Sequence, residues 1–481
     1  MLLAAAQQGD PQGTRRALPS LRSHLRPPER SNTFGRVTSR GDSPAATAQR
    51  PNRLTSRRCW NLREGANRNL REGCTGMEAE MRQNVTGASR RETLKALALA
   101  PYFITSGALG AEGRRPASDR ITMGCIGMGG RGSGDMRGFM ASPQVQVLAV
   151  CDVVKAKRDA AKAAVDQKYE NKDCAAVVDF REITSRPDID TVLIGTPDHW
   201  HAIIACEAMK AGKDVFCEKP ETLTIREGRI MVETARRYGR IFSGGSQRVL
   251  GDYGQLARYI RSGAIGEVRE AFVGVGGPSR DCDLPPEPVP PGLEWDLWLG
   301  PAPWAPFNRG RLAFRAWKDY SGGGMTDWGA HKFGAVVFAM DLQHTGPVEI
   351  IPPNGKDVRL LTYVYANGFR MYHGGAGDIT YKGTEGEASR GKMGRPIKEV
   401  EMPGYKGAGG LNGDFLHCVV TRETPFRHVE ACHRAVSVCH LGNLAYWLER
   451  PLKWDPVKEQ FIGDPDANRW LDRPKREPWT L

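Results

Sequence analysis

Six consecutive residues form a glycine-rich turn that could hold the phosphates of a dinucleotide. They are Gly127, Met128, Gly129, Gly130, Arg131 and Gly132. In such a turn Gly127 permits a tight bend, Gly129 lets the backbone approach a pyrophosphate, and Gly132 lets the following helix pack close to the preceding strand. The free N–H groups at the start of that helix direct a partial positive charge toward the phosphates. The turn therefore predicts a binding site for a dinucleotide cofactor.

An acidic residue follows the turn at the distance that such a site requires. Asp152 comes about twenty residues after Gly132, where a carboxylate accepts hydrogen bonds from the adenosine ribose hydroxyls. Its charge would repel a 2′-phosphate, which favours NAD over NADP. Two cationic residues, Arg131 and Lys155, lie near the turn and Asp152 in the sequence, so NADP stays an alternative cofactor.

The elements that must position the turn occur in the required order. An apolar run of strand length, Ile121 to Ile126, precedes it, a helix-like stretch over 133–140 follows, and a second strand-like run covers 145–150. A glycine pattern alone could be an ordinary flexible loop. Strand, turn, helix, strand and terminal acid together are more specific, and they predict a dinucleotide-binding Rossmann unit.

Polar segments follow further strand-like runs, at 191–194 and 214–217. Because ligands bind at the carboxyl ends of parallel strands, these segments are predicted to lie beside the cofactor. Gln247, at the end of another strand-like run, is predicted to contact cofactor or substrate. These further candidates for cofactor binding are Thr196, Pro197, His199, His201, Glu218, Lys219 and Gln247.

A second glycine-rich segment, residues 321–331, contains an acid and a histidine four positions apart, Asp327 and His331. Three consecutive glycines indicate a backbone that bends sharply or runs close to a ligand. If a helix begins at Thr326, both side chains face the same way. A histidine beside an acid on a helix is also a common structural pair, and this alternative stays open.

Together these motifs resemble the Gfo/Idh/MocA oxidoreductases, over about residues 121 to 450. The resemblance rests on the glycine turn, Cys151-Asp152, T-P-D-H-W-H at 196–201, A-G-K-D-V-F-C-E-K-P at 211–220 and G-G-S-Q-R at 244–248. It implies a doubly wound parallel Rossmann sheet, followed by an α/β domain with a large open, mainly antiparallel sheet. In that family the open sheet face commonly becomes a subunit interface, so a homo-oligomer is expected.

The resemblance also implies roles for particular side chains. The lysine of the E-K-P motif, Lys219, lies beside nicotinamide and the substrate hydroxyl, where an ammonium can polarise the oxygen and help move its proton. Asp327 and His331 face the substrate, with the histidine as general base and the carboxylate orienting it. Relatives often continue with a second histidine and an aspartate, where this chain has Lys332 and Gly334. That difference bears on substrate identity.

Three functions of different classes follow. The leading one is hydride transfer between NAD and a sugar, cyclitol or related polyol. The alternative is an NAD-dependent glycosidase that oxidises a sugar carbon transiently, eliminates the aglycone and reduces the sugar again. A binding protein with an inactive cofactor site is least favoured, because Lys219, Asp327 and His331 are all present. Aromatic residues in 295–303 and 314–320 suit sugars, although core packing explains most of them equally well.

The composition is that of a soluble globular chain of two ordinary domains, with 481 residues and 40% hydrophobic content. The formal net charge of +13 is concentrated at the start, where the first 76 residues hold fourteen arginines and five acids. The remainder is close to neutral, so nucleic acid is not predicted as a partner. Nine of the eleven cysteines follow residue 111 without a metal-like pair, so neither a disulfide framework nor a metal site is expected.

An export signal is predicted near the start. S-R-R-E-T-L-K at 89–95 and the apolar run 96–111 resemble a twin-arginine leader. The alternative is a basic amphipathic helix. The run is shorter than the roughly 20 residues of a membrane span, and Pro101 interrupts it. The protein is expected to be periplasmic if the leader is used and cytoplasmic if it is not.

Five regions are predicted. Residues 1–76 are either disordered or the product of a wrongly assigned start, with translation beginning at Met77 or Met81. The other regions are a signal segment (77–111), a Rossmann domain (119–247), a domain for substrate and oligomerisation (248–455) and a C-terminal tail (456–481).

Overall fold

A six-stranded parallel sheet forms the first half of the described structure. The computed structural model describes residue 116, residues 119–375 and residues 377–481. The first two predicted regions, residues 1–76 and the signal segment 77–111, lie outside them. The strand order is β3-β2-β1-β4-β5-β6. The strands are β1 (Ile121–Ile126), β2 (Val145–Cys151), β3 (Ala175–Val177), β4 (Thr191–Ile194), β5 (Asp214–Cys217) and β6 (Phe242–Gly244).

The strand order opens a crevice at the carboxyl ends of β1 and β4. β1 pairs with β2 on one side and with β4 on the other, so the chain connections diverge at this point. Crevices of this kind hold nucleotides in doubly wound sheets. The predicted Rossmann sheet is thus confirmed. All residues of β4 and β5 are buried, which is why short continuous apolar runs identified them in the sequence.

Five helices connect these strands. They are α1 (Gly130–Met140), α2 (Lys155–Tyr169), α3 (Arg181–Thr184), α4 (Asp198–Lys210) and α5 (Ile225–Tyr238). The sequence pattern predicts these two helices from residues 133 and 202, but α1 and α4 begin earlier, because the motif residues themselves enter the helix. Gly129 is the N-cap of α1 and Pro197 that of α4, and the fixed φ of proline suits a helix start. Two helix N-termini therefore face the crevice.

An eight-stranded mixed sheet forms the second half, in the order β12-β11-β7-β10-β9-β8-β13-β14. Only the β7–β10 pair is parallel among its described pairings, which confirms the predicted mainly antiparallel sheet. The strands are β7 (Val268–Val273), β8 (Glu349–Ile351), β9 (Leu361–Val364), β10 (Arg370–His373), β11 (Ile379–Gly383), β12 (Gly386–Ser389), β13 (Leu452–Asp455) and β14 (Gln460–Phe461).

Eight further helices belong to this half, and several of them contribute residues to its largest apolar core. They are α6 (Arg248–Gly251), α7 (Gly254–Arg261), α8 (Trp295–Leu299), α9 (Gly324–Asp327), α10 (Gly329–Ala339), α11 (Gly410–Thr421), α12 (Val429–Leu448) and α13 (Pro465–Asn468). Three short 3-10 helices cover Arg309–Leu312, Phe314–Ala316 and Arg469–Leu471. No described helix is long and apolar enough to cross a membrane.

The C-terminal residues are integrated into both halves. Residues 456–481, expected as a tail, contribute β14 and return to the Rossmann core. There Trp479 packs edge-on against Trp200, with ring centroids 4.7 Å apart, and contacts Phe180 at 6.0 Å. The segment packs there because the contact buries an indole on an apolar surface. The residues around position 479 give no local sign of this contact in the sequence.

Helix α11 joins the two halves through an aromatic cluster. Phe415 is fully buried, and its ring lies 5.9 Å from Phe139 and 5.7 Å from Phe216. We expect Phe415→Ala to lower the free energy of unfolding by about 3–5 kcal/mol, since it removes a ring and leaves a cavity. Chemical denaturation measures this change. Val420→Ala on the same helix, at a side chain 65% exposed, is the control and should change stability by less than about 0.5 kcal/mol. Equal effects of the two variants would contradict the prediction.

Candidate functional site

The glycine turn forms an open cradle at the start of α1. Gly127 has a φ of +84°, and a Cβ on it would lie 2.5 Å from the Thr196 nitrogen. A Cβ on Gly132 would lie 2.0 Å from the Gly127 oxygen. By contrast, a Cβ on Gly129 or Gly130 would meet no described atom within 4 Å. Two glycines therefore permit close packing of the chain, and two leave free space beside a helix N-terminus, as a bound pyrophosphate requires.

Asp152, at the end of β2, is tied to this cradle. Its Oδ2 accepts the Met128 N–H at 2.7 Å and its Oδ1 accepts the Val154 N–H at 2.8 Å. Burial raises the pKa of this carboxyl, and these hydrogen bonds and Lys157 oppose that effect. Asp152 lines the cleft at the crevice, and each oxygen keeps a second lone pair for a ribose hydroxyl. The Met128 side chain, in contrast, is buried in the core.

Arg131 connects the glycine turn to the E-K-P motif. Its guanidinium contacts Glu218 at 2.9 Å and Asp135 at 2.9 Å. Burial, followed by the neighbouring charge of Glu218, raises the pKa of Asp135 to about 8. These two ion pairs hold the guanidinium, and with it the turn, in place. Arg131 also lines the cleft.

The cleft has a volume of about 1150 Å³, including the space at its open side, and both halves of the protein line it. The second half reaches over it with a segment that is hydrogen-bonded to the Rossmann half. Lys155 N donates to Gly292 O at 2.8 Å, and Glu294 N donates to Val153 O at 3.0 Å. The side chains that line the cleft from this segment are Leu297, Trp298, Leu312, Phe314 and Arg315. A bound dinucleotide would thus be covered on one side.

Several predicted residues meet in this cleft. Its lining includes Gly127, Gly129, Gly130, Arg131, Asp152, Thr196, Pro197, Glu218 and Lys219. The buried Thr196 hydroxyl has no hydrogen-bond partner within the described residues, as expected of a group that awaits a ligand. The cradle, the acid and the hydroxyl fit a nicotinamide dinucleotide. In the described ranges no group of three or more His, Cys, Asp or Glu side chains could hold a metal ion, and the nine described cysteines are free thiols.

Lys219 and Asp327 form an ion pair at one end of the site. The Lys219 Nζ donates to Asp327 Oδ1 at 2.6 Å and to Asp327 O at 2.8 Å. The Lys219–Pro220 peptide bond is cis. Arg315 contacts the same carboxylate at 3.0 Å. Burial alone would raise the pKa of Asp327, but Lys219 and Arg315 outweigh it and lower that pKa. Asp327 is therefore a carboxylate that holds the ammonium in place.

The helix predicted from Thr326 is divided in two. α9 ends at Asp327 and α10 begins at Gly329, since the Asp327 carbonyl accepts from Lys219 rather than from the helix. The His331 N–H donates to Trp328 O at 3.2 Å instead. The charge of Asp327 acts on the His331 imidazole, but no hydrogen bond joins their side chains among the described contacts.

His331 lies in a buried position surrounded by cations. Burial, followed by the charges of Lys219, Arg248 and Arg427, lowers its pKa to about 2. Its Nδ1 has no hydrogen-bond partner in the described part of the chain, and its ring packs edge-on against Trp328 with centroids 6.0 Å apart. The imidazole is therefore neutral.

Five predicted cofactor residues do not line the cleft: Met128 and Gly132 of the turn, and His199, His201 and Gln247. His199 Nε2 is 3.0 Å from Trp298 O, and its ring lies 5.3 Å from that of Tyr320. His201 bridges two motif segments, with Nε2 2.8 Å from Thr196 O and Nδ1 2.7 Å from Pro220 O. Gln247 accepts from the Tyr405 hydroxyl through its backbone oxygen. Burial lowers the pKa of both histidines to about 4. A neutral His201 donates to only one of its two carbonyl neighbours, because a neutral imidazole carries a single N–H.

Sequence reasoning missed three polar residues of the site. Asp198 and Arg315 line the cleft, and the Ser321 hydroxyl donates to Asp198 Oδ2 at 2.6 Å. Each lies within a segment that the sequence singled out. An acid directly after a strand-end proline was the available signal for Asp198, while nothing local distinguished Arg315 or Ser321.

The aromatic segments serve mainly as core. Trp295 and Trp298 stack with centroids 4.8 Å apart, and together with Trp317 and Tyr320 they belong to one buried cluster. This packing accounts for most of the tryptophans that could have bound sugars. Trp328, 43% exposed, is the large aromatic residue that stays open beside His331.

A dinucleotide crevice followed by a mixed-sheet domain is the arrangement of an NAD-binding oxidoreductase. Two family models support this class. One described as the NAD-binding Rossmann fold of the oxidoreductase family matches residues 121–246, and one described as its C-terminal alpha/beta domain matches residues 277–481. The chain belongs to the Gfo/Idh/MocA oxidoreductase family, as its motifs predicted.

Known proteins are similar to parts of this chain. Glycosyl hydrolase family 109 proteins from Shewanella sp. (strain W3-18-1) and Shewanella baltica are 37% and 36% identical to it over 125 residues. That match covers 25% of this chain and 27% of each relative, so the chain matches about a quarter of the length of these relatives.

Solved structures share the fold. An NAD-binding protein from Listeria innocua has a TM-score of 0.50 and 20% identity, over 69% of this chain and 97% of that chain. A myo-inositol 2-dehydrogenase from Lactobacillus plantarum has a TM-score of 0.50 and 16% identity, over 69% of this chain and 99% of that chain.

Proposed function

We propose that this protein transfers a hydride between NAD and a sugar, cyclitol or related polyol. The observation that carries the proposal is the Lys219–Asp327 ion pair, with Nζ 2.6 Å from Oδ1, at a cleft whose glycine cradle fits a dinucleotide. When bound, NAD accepts or donates the hydride at its nicotinamide ring. An ammonium at that position can hold the substrate oxygen and stabilise the charge that develops on it.

The roles of the protein groups follow from their contacts. Asp327 fixes the ammonium of Lys219 through two acceptors, its carboxylate and its carbonyl oxygen. Arg315 holds the carboxylate from the other side. This preorganisation means that little rearrangement is needed when the substrate binds. The covering segment 293–315 would exclude water from the reacting atoms.

A carbohydrate substrate is supported by the environment of Trp328. The indole is 43% exposed and lies between His331, at 6.0 Å, and the Arg248 guanidinium, at 5.0 Å from the ring. A second opening in the surface, lined by Trp328, Lys332 and Asp378 among others, adjoins it. An aromatic face surrounded by hydrogen-bonding groups is suited to a sugar ring and its hydroxyls.

A second candidate is an NAD-dependent glycosidase that oxidises a sugar, eliminates the aglycone and reduces the sugar again. The similarity to glycosyl hydrolase family 109 proteins, 37% over 125 residues, favours it. The covered cleft also suits a cofactor that is retained and restored in each cycle. The two candidates share Lys219 and Asp327, and they differ in the fate of the hydride.

One experiment separates them. The purified protein is analysed for bound nucleotide and then incubated with NAD and a panel of sugars, cyclitols and glycosides. Net reduction of NAD is expected for the dehydrogenase. Cleavage of a glycoside without net redox change would select the glycosidase. A protein that binds neither NAD nor NADP would refute both.

We also propose NAD as the preferred cofactor. Asp152→Asn should reduce the preference for NAD over NADP by about tenfold, equivalent to roughly 1.4 kcal/mol, because the change removes the charge that repels a 2′-phosphate. The dissociation constants of both cofactors, measured by calorimetry, give the ratio. Asparagine cannot accept both backbone N–H groups that Asp152 holds, and this loss would affect the binding of both cofactors. The ratio of the two dissociation constants therefore reports the effect of the charge better than either constant does.

Asp159→Asn is the control, at a side chain that is 52% exposed on α2. It should leave the ratio unchanged. A ratio that is the same in the wild type and Asp152→Asn would show that Asp152 does not select the cofactor.

We propose for the regions of the chain the roles that the sequence predicted. Residues 119–247 would bind the cofactor, residues 248–455 would bind the substrate and contact further copies, and the leader would direct export. Light scattering of the purified protein and N-terminal sequencing of protein from a periplasmic fraction test these points.

A further inference from the structure

An arginine of the glycine turn lies between a buried acid and the open space of the cleft. The Arg131 Nε and Nη2 atoms contact Glu218 Oε1 at 3.0 Å and 2.9 Å. The Arg131 side chain is 47% exposed, whereas that of Glu218 is 4% exposed, and both residues line the cleft. The guanidinium therefore covers the carboxylate on its open side.

Glu218 is held in this position by further contacts. Its Oε2 accepts the backbone N–H of Lys219 at 3.3 Å, and its own N–H donates to Ile194 O at 2.9 Å. A Cβ on Gly245 would lie 2.3 Å from Glu218 Oε1, so the carboxylate packs directly on the backbone that follows β6. The acid is thus fixed at the cleft, where its charge needs a partner.

A second acid holds the guanidinium from the side of the helix. The Arg131 Nη2 contacts Asp135 Oδ1 at 2.9 Å, one turn further along α1. Asp135 is 5% exposed and does not line the cleft. A cation in the first turn of a helix opposes the helix dipole. The two carboxyl contacts compensate for this unfavourable position of Arg131.

The pair formed by Arg131 and Glu218 lies along the path of the proposed cofactor. Arg131 follows β1 and Glu218 follows β5, and β4 lies between these strands in the sheet. A dinucleotide with its phosphates at the glycine cradle and its nicotinamide beside Lys219 would extend from one to the other. Its pyrophosphate is anionic, and an uncompensated carboxylate in a partly buried crevice would repel it.

We propose that Arg131 retains the dinucleotide by neutralising Glu218, and that Asp135 positions the guanidinium for this task. The inference rests on the proposed cofactor site and does not depend on the substrate. Arg131 is here a positioning residue that acts through Glu218. Direct pairing of Arg131 with a phosphate would be a different mechanism, in which the charge of Glu218 has no part.

The first test compares ligands of different charge. The dissociation constants of NAD, ADP and adenosine are measured by calorimetry. Arg131→Ala should weaken the binding of NAD and ADP by about 10- to 100-fold, as expected for one uncompensated charge nearby. Adenosine has no charge, so its dissociation constant should change by less than about twofold. Arg137→Ala, at an exposed position of the same helix, is the matched control and should bind all three ligands as the wild type does.

The second test removes the acid as well. In a Glu218→Gln background, Arg131→Ala should weaken NAD binding by less than about threefold, because no charge is left to neutralise. In an Asp135→Asn background, most of the defect of Arg131→Ala should remain, since the acid at the cleft is still present. A full defect in the Glu218→Gln background would overturn the neutralising role. Equal weakening of NAD and adenosine by Arg131→Ala would overturn it too, because a distorted site would act on both ligands.

The Tm of the same variants needs no ligand. Arg131→Ala should lower the Tm, because it leaves a buried carboxylate unpaired, and should lower it less in the Glu218→Gln background. Equal decreases in the two backgrounds would overturn the compensation of Glu218 by Arg131. If the wild type binds neither NAD nor NADP, the proposed function fails, whereas the Tm series still decides whether Arg131 compensates Glu218.

Discussion

Lys219→Ala is expected to lower kcat by about 10²–10⁴-fold while NAD stays bound. The side chain supplies the ammonium that would hold the substrate oxygen, whereas the cofactor would be held by the glycine cradle and Asp152. The fold should survive, because Arg315 still neutralises the Asp327 carboxylate, at 3.0 Å. Steady-state kinetics give kcat, and the absorbance of nucleotide released from the denatured variant gives the NAD content.

Two comparisons make this prediction specific. Lys210→Ala, at the exposed end of α4, should behave as the wild type. In Lys219→Ala the pKa of Asp327 should rise, because the largest opposing charge has been removed; infrared titration of its carboxyl would detect the change. Retained turnover in Lys219→Ala would remove this lysine from the mechanism.

Gly132→Ala is expected to abolish retention of the nucleotide. The added Cβ would lie 2.0 Å from the Gly127 carbonyl oxygen, a distance that carbon and oxygen do not adopt. The contact is with backbone, so no side chain can rotate away, and α1 must move from β1 together with the cradle. Overpacking of this kind costs about 1–3 kcal/mol of stability, occasionally more. Nucleotide content after purification and the Tm measure the two effects.

Gly134→Ala is the matched control on the same helix. A Cβ there meets no described atom within 4 Å, and the position is exposed. Alanine should therefore increase stability by about 0.5–1 kcal/mol through its higher helix propensity and leave NAD bound. If Gly132→Ala and Gly134→Ala retain NAD equally, the close packing of α1 on the cradle is not required for binding.

The Rossmann strands and the cradle were predictable because their signals are local. β1, β4 and β5 are short runs of residues buried on both sides, and they were found with the observed bounds. Likewise, the positive φ of Gly127 and the close approach at Gly132 are properties of one turn. Neither depends on what the distant chain contributes.

The facing of individual side chains was harder to predict. The T-P-D-H-W-H segment was recognised, but its helix begins at Asp198 rather than after the motif. Each residue along a helix turns by about 100°, so this start directs Asp198 into the cleft and His199 toward Trp298. A difference of a few residues in a helix boundary thus decided which of two neighbouring residues belongs to the site.

The sequence by itself determined the family, the cofactor crevice and the position of Lys219, because strand, turn, helix and acid are contiguous and their order is specific. Only the tertiary structure decided the proton chemistry. Lys219 and Asp327 are 108 residues apart, and Asp198 and Ser321 are 123 apart. Whether each group holds a proton depends on burial and on the charges that the fold assembles around it. For that reason Asp327, the acid predicted only to orient others, has a lowered pKa and is ionised, and His331, the histidine predicted as base, is neutral.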